Sequence, residues 1–197
     1  MTLHIPLLGV RLRLSFWFFA VVTLFFMLER QIFLWYIALP MLTHELGHLI
    51  AMALCRVKVT EIHLTPVSVS MVTASKVLSY RRELAIAAGG IAANLLLALF
   101  LRLYLFQSMR VMLMIASNLA VAAFNLLPVG NLDGGRIAAI LCARYLSPDK
   151  ARAISLLVSF AVLVPLSAMS AFLLLRGSEN FTLALICAYL ILIVAKS

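Results

Sequence analysis

Two histidines and a glutamate interrupt an apolar stretch of the sequence near residue 45. They lie in the motif Thr43-His44-Glu45-Leu46-Gly47-His48. On a helix, residues four apart share one face, so His44 and His48 can present two imidazole nitrogens to one zinc ion. Glu45 would lie beside that metal as a general base that activates water. Each ionisable group costs at least about 2.5–3.5 kcal/mol inside a membrane span, which favours a shared ligand over a chance pattern.

A third ligand is expected elsewhere in the chain, because a catalytic zinc site has three protein ligands and an open position. Asp133 is the candidate, since Glu45 and Asp133 are the two carboxylates at apparent membrane depth. It follows a stretch in which Pro128 and Gly130 forbid a continuous helix. The alternative is that Asp133 only caps a helix beginning near Gly134, and this interpretation is compatible with metal binding.

The composition identifies the environment of these residues. Of the 197 residues, 65% are hydrophobic and only 12% are charged, whereas soluble domains have about 25% charged residues. A water-soluble globule and a disordered chain are therefore excluded. Three widely spaced cysteines exclude a disulfide scaffold. The remaining class is an integral membrane protein, in which the net charge of +9 is a topology signal and does not indicate a nucleic-acid partner.

The apolar runs predict an all-α polytopic fold with six transmembrane helices. Spanning helices need about 20 apolar residues, with a range of about 17–25. With the amino terminus inside, cytoplasmic segments hold 12 of the 16 Lys and Arg residues, which predicts that both termini are cytoplasmic. The two ligand segments then both approach the cytoplasmic side of the bilayer. The predicted spans are about residues 14–28, 32–54, 84–101, 111–127, 151–175 and 181–195.

One long connection, about Arg56–Glu83, does not have a helical pattern. Apolar and polar residues alternate along residues 57–72, which predicts two short strands with a turn at Thr65-Pro66. The connection begins directly after the histidine helix, so it must lie near the zinc site. An open edge there, at Val67, Val69 and Met71, is a candidate for receiving an unwound substrate segment as an added strand. The alternative is an interfacial hairpin that only shields the site.

Three segments together resemble the site-2 protease family of intramembrane zinc metalloproteases. They are His44-Glu45-Leu46-Gly47-His48, Ala88-Gly89-Gly90-Ile91-Ala92-Ala93-Asn94, and Phe124-Asn125-Leu126-Leu127-Pro128 continuing to Asp133-Gly134-Gly135. Their order and spacing extend over about residues 30–145. Within the family, the resemblance is strongest to the branch that processes a membrane-tethered pro-sigma factor during sporulation.

The resemblance implies a role for each matching residue. His44, His48 and Asp133 would bind one zinc ion per chain, Glu45 would activate water, and Asn125 would contact the substrate near the scissile bond. It also implies a membrane-re-entrant β element in the long connection, a membrane-tethered protein substrate and the lipid bilayer as partners, and a membrane inhibitor protein as a further partner. The expected location is a bacterial inner or cell membrane.

Residues 1–197 are expected to form one membrane-embedded domain without a soluble regulatory domain. Its catalytic core is about residues 30–145, and the helices near 14–28, 151–175 and 181–195 are accessory. Two other functions remain open. A zinc transporter also places histidines and carboxylates in membrane spans, and a catalytically silent scaffold would keep the metal for structure. An intact Glu45 argues against the scaffold, because a purely structural zinc needs no base.

Overall fold

A computed structural model describes residues 2–7, 10–15, 23, 31–64, 69–74, 78–105, 108–130, 132–176 and 182–195. The described residues are mostly helical, and the chain divides into two compact units, Met1–Ala122 and Ala123–Ser197. The helices are α1 (Gln31–Leu54), α2 (Tyr80–Tyr104), α3 (Met109–Leu126), α4 (Asp133–Ala143), α5 (Pro148–Leu175) and α6 (Thr182–Ala195). The strands are β1 (Thr2–Leu7), β2 (Val10–Ser15), β3 (Val59–Leu64) and β4 (Val69–Thr73).

Among the described residues, the helices α1, α2, α3 and α5 are long and apolar enough to cross a membrane. Many of their large apolar side chains are exposed, for example Trp35, Leu54 and Leu175, as expected for surfaces that face lipid. Six spans are not confirmed. Most of the predicted first span lies outside the described residues, and the last predicted span is the shorter apolar helix α6 of 14 residues.

The mostly helical fold with a β-hairpin in the long connection is confirmed, but the first unit has more strand than predicted: a four-stranded sheet in the order β1-β2-β3-β4. β1 and β2 form an antiparallel hairpin, β2 pairs in parallel with β3, and β3 pairs antiparallel with β4. The strands predicted within residues 57–72 are confirmed as β3 and β4, whereas Thr65 and Pro66 lie outside the described residues. Leu14 and Ser15 belong to β2 and so do not begin a first helix.

Small residues let α1 and α2 pack at close range in the first unit. A Cβ atom added to Gly47 would lie 2.4 Å from the carbonyl oxygen of Gly89, and one added to Gly89 would lie 2.7 Å from the Cβ of Ala51. Side chains larger than glycine would push the helices apart, as expected for membrane helices that meet through small residues. This close contact fixes the position of the histidine face of α1 against α2.

In the second unit, described residues that precede Asp133 are held by packing. Val129 and Leu132 pack in a buried cluster with Leu163, Leu190 and Val194. Gly130 has a φ of 49°, a backbone conformation that glycine adopts without steric cost. Helix α4 begins at Asp133 itself, with Leu132 in the N-cap position. The alternative that Asp133 is the N-cap residue is therefore wrong.

Candidate metal centre

His44 and His48 lie side by side on α1, and both side chains are buried. Their ring centroids are 4.8 Å apart, with the ring planes nearly perpendicular. The two Nε2 atoms face each other at 3.1 Å. The predicted common face of the helix is thus present, and it places the metal-binding nitrogens of both rings together.

Hydrogen bonds at the opposite ring nitrogens determine which tautomer each histidine adopts. His48 Nδ1 lies 2.8 Å from the backbone oxygen of Ile86, which can only accept, so His48 donates from Nδ1. His44 Nδ1 lies 3.0 Å from Asn94 Oδ1 and donates to it. In neutral imidazoles both Nε2 atoms then carry lone pairs.

Two lone pairs that face each other at 3.1 Å repel unless a cation lies between them. Imidazole nitrogens bound to a tetrahedral zinc at about 2.0–2.1 Å lie roughly 3.4 Å apart, close to the spacing of this pair. Metal-ligating histidines usually donate their second N–H to a carbonyl or carboxylate. Both rings meet that condition, so the pair fits a zinc ion.

Gly90 of α2 lies directly against the metal-binding edges of both rings. A Cβ atom at this position would be 2.6 Å from His48 Nε2 and 2.8 Å from His44 Nε2. Because the rings are held at Nδ1, they cannot turn aside without losing those hydrogen bonds. The missing side chain of Gly90 therefore leaves open the space in which the two nitrogens can share a metal.

We expect Gly90→Ala to weaken zinc binding by roughly 10–100-fold, the usual effect of disturbing the residues that orient metal ligands. Zinc per chain, measured on protein purified in detergent, checks this. Ala92→Val adds bulk to an exposed position of the same helix and should keep the zinc. Full zinc occupancy in Gly90→Ala would show that this space is not needed for the metal.

Glu45 follows His44 on α1, and its side chain is partly exposed. One residue along a helix turns about 100°, so Glu45 does not share the face on which the two rings meet. This placement fits a base beside the metal better than a third ligand from α1.

Asp133 is buried at the first turn of α4, in the second unit. The positive end of the helix dipole favours a carboxylate at that place. Added Cβ atoms at Gly134 and Gly135 would collide with the backbone oxygens of Leu126 and Gly130, so the turn before α4 requires both glycines. Within the same unit, Ser159 Oγ accepts a hydrogen bond from the Gly130 N–H at 3.2 Å.

The predicted substrate-binding residues lie in different elements. Asn125 is partly buried near the end of α3. Val69 and Met71 are in the edge strand β4, where the Met71 side chain packs against the cluster of Met52, Val57 and Ile86. Val67 lies outside the described residues. Any contact of Met71 with a substrate would therefore use its backbone.

Sequence reasoning assigned no role to Asn94 or Asn118, which are both completely buried. The signal was present, because each is an amide within an apolar run where an unpaired amide is costly. Neither the hydrogen-bond partner of His44 nor the position of Gly90 follows from spacing along one helix.

An ion cluster on the sheet was also missed. Glu61 lies 2.9 Å from Arg11, 3.1 Å from Arg13 and 3.0 Å from His63. The hydrogen bond from His63, followed by the charges of the arginines, lowers the pKa of Glu61 below its ordinary value. Its contribution to stability is present above the unfolded pKa and is lost as the pH falls through the folded pKa. The cluster links β2 to β3 outside the spans.

Of three comparisons with known proteins, two gave matches. Residues 106–166 match peptidase family M50, a segment that contains Asn125 and Asp133 but not the histidine pair. The whole chain superimposes on 94% of a site-2 protease from Methanocaldococcus jannaschii with a TM-score of 0.70 and 19% identity, which shows the same fold. No curated protein sequence gives a significant match. The findings support an intramembrane metalloprotease, but they do not support the sporulation branch.

Proposed function

We propose that this protein is an intramembrane zinc metalloprotease that hydrolyses a peptide bond in or near a transmembrane segment of a membrane-tethered protein. The observation that carries the proposal is the pair of buried Nε2 atoms, 3.1 Å apart, on a helix long enough to span a membrane. The match to peptidase family M50 supports the same reaction. We do not extend the proposal to pro-sigma-factor processing or to an inhibitor protein.

The proposed ligands of one zinc ion per chain are His44, His48 and Asp133. All three side chains are buried, and each offers one ligand atom. A carboxylate offsets part of the charge that a divalent cation brings into an apolar region, and two imidazoles with one carboxylate are a common ligand set of catalytic zinc. When bound, zinc supplies Lewis acidity and lowers the pKa of water toward about 7.

Glu45 is the proposed general base. Its carboxylate accepts a proton from the attacking water and then returns that proton to the nitrogen of the departing amine, so no proton is gained or lost over the reaction. A substrate helix must unwind locally first, because its hydrogen-bonded backbone shields the carbonyl carbons. We expect cleavage near glycine or proline, which weaken helices.

Backbone pairing at β4 is the proposed way in which the unwound substrate is held. The Ala74 N–H donates to Lys58 O across the β3–β4 pair, and Thr60 Oγ1 donates to Val72 O. Because successive residues of a strand face opposite edges, the backbone groups of Val69 and Met71 face the outer edge of β4. We propose that this edge and Asn125 contact the substrate.

Met71→Pro should lower the kcat/KM for cleavage roughly 2- to 10-fold below Met71→Ala, the effect of one lost hydrogen bond. Both variants lose the same packing of the Met71 side chain, so alanine is the matched control. Zinc content should be equal in the two proteins. Equal cleavage by both variants would favour the hairpin that only shields the site.

We further propose that residues 1–197 act as one membrane-embedded domain in a bacterial cell membrane, with six spans and with both termini and the active site facing the cytoplasm. The distribution of Lys and Arg, 12 against 4 of the 16 present, motivates this orientation. In a variant without native cysteines, Lys76→Cys should resist an impermeant thiol reagent applied to intact cells. Strong labelling would reverse the orientation.

The zinc-transporter and scaffold alternatives are not favoured. Each histidine donates from Nδ1 to a fixed acceptor, which suits a resident metal rather than an ion in transit. A scaffold has no need for a carboxylate next to the histidine pair.

Cells that express either the wild-type protein or Glu45→Gln provide the test. Quantitative analysis of new peptide termini in membrane proteins should detect cleavage in or beside apolar segments with the wild type only. A zinc chelator should abolish these termini, and added zinc should restore them. Identical sets of termini in the two strains would contradict the proposed function.

A further inference from the structure

Asn94 connects three helices of the first unit through a directional chain of hydrogen bonds. Its Nδ2 donates to Pro40 O of α1 at 2.9 Å and to Asn118 Oδ1 of α3 at 3.0 Å, while its Oδ1 lies 3.0 Å from His44 Nδ1. Asn118 Nδ2 donates in turn to Met114 O at 2.9 Å. Both asparagines are completely buried.

Backbone acceptors determine the orientation of both amides. Pro40 O and Met114 O can only accept, so each must face an amide nitrogen. The Nδ2 of Asn118 therefore points to Met114 O, and its Oδ1 points to Asn94. The Nδ2 of Asn94 points to Pro40 O and Asn118, which leaves Oδ1 directed at His44. Turning either amide by about 180° would place an acceptor against an acceptor, or an N–H against an N–H, in an apolar interior.

We propose that Asn94 is a positioning residue that holds His44 in the Nδ1–H tautomer and so keeps its Nε2 lone pair available to a metal. The inference rests on the proposed zinc site. The two histidines differ in the group that orients the ring. His48 is oriented by a backbone carbonyl, whereas His44 is oriented by a side chain. Substitution can remove only the second of these contacts.

Asn118 provides a matched control. Asn118→Leu breaks the Asn94–Asn118 bond, but the bond from Asn94 to Pro40 O remains, so the oxygen of Asn94 still faces His44. Asn94→Leu leaves the buried Asn118 Oδ1 without the donor Asn94, and Asn118→Leu leaves Asn94 Nδ2 without the acceptor Asn118. Both variants should therefore have lower thermal stability. Only Asn94→Leu removes the acceptor of the His44 Nδ1–H.

The test measures zinc affinity, by competition with a chromogenic chelator, and the visible spectrum of the cobalt(II) protein. We expect Asn94→Leu to bind zinc roughly 10–100-fold more weakly and Asn118→Leu to bind it within about threefold of the wild type. Asn94→Asp keeps an acceptor for His44, but its second oxygen must carry a proton to donate to Pro40 O or Asn118 Oδ1, so it should recover part of the affinity lost in Asn94→Leu. The acceptor at His44 Nδ1 changes from an amide oxygen to a carboxyl oxygen, which alters the ligand strength of the ring, so the cobalt bands should also shift in Asn94→Asp.

The outcomes separate this inference from the proposed function. Wild-type protein that binds neither zinc nor cobalt would overturn both. Wild-type protein that binds zinc, with unchanged affinity in Asn94→Leu, would overturn the positioning role alone, as would equal losses in Asn94→Leu and Asn118→Leu. If Asn94→Leu does not fold, an unshifted cobalt spectrum in Asn94→Asp would contradict the proposal.

Discussion

Glu45→Gln should retain one zinc ion per chain and still capture substrate, but it should cleave about 10²–10⁴-fold more slowly than the wild type. Glutamine has nearly the same size and shape as glutamate, but its amide cannot take a proton from water. The measurement is single-turnover cleavage of a substrate segment identified from the wild-type membranes. Binding of that segment should remain close to the wild-type value.

Asp133→Asn is the informative comparison for this experiment. It replaces a proposed anionic ligand with a neutral one, so both cleavage and zinc content should fall. If Glu45→Gln keeps its zinc and Asp133→Asn loses it, Glu45 acts as a base and Asp133 as a metal ligand. Near wild-type cleavage by Glu45→Gln would refute the mechanism and would renew the case for a transporter.

The double variant His44→Ala, His48→Ala should lose nearly all of its zinc, from one ion per chain to almost none. A carboxylate alone does not hold a catalytic zinc, which takes three protein ligands. The single variants should lose most of the metal for the same reason. Elemental analysis of protein purified in detergent measures the stoichiometry.

His63→Ala is the matched histidine control. His63 lies on β3 and pairs with Glu61, so its removal should leave zinc content unchanged. Full zinc occupancy in the His44→Ala, His48→Ala protein would place the metal site elsewhere in the chain. Loss of zinc in His63→Ala would mean that the sheet contributes to the metal site.

The sequence predicted the structure correctly where the interacting residues lie close together along the chain. The four-residue spacing of His44 and His48 determines that they share a helix face, and the structure has both rings together there. The alternation in residues 57–72 likewise predicted β3 and β4. In both cases the residues that interact lie close together in the sequence.

The amino-terminal strands show where this reasoning was incomplete. Leu12 and Leu14 alternate with Arg11 and Arg13, a period of two that indicates a strand. The apolar run that follows favours a helix, which is the predicted first span at about residues 14–28. β2 instead pairs in parallel with β3, and the paired residues lie 50 positions apart in the sequence. No local pattern identifies such a partner.

The sequence by itself determined the membrane class of this protein, the shared helix face of the histidine pair and the candidate base beside it. These features depend on overall composition or on residues close together in the chain. Only the tertiary structure decided which nitrogens of those histidines face each other. That outcome depends on Asn94 and Ile86 as acceptors at Nδ1 and on Gly90 as the open space against Nε2. All three belong to α2, which is separated from the histidine helix in the sequence by strands β3 and β4. Their contacts exist only once Gly47 and Gly89 let the two helices pack closely.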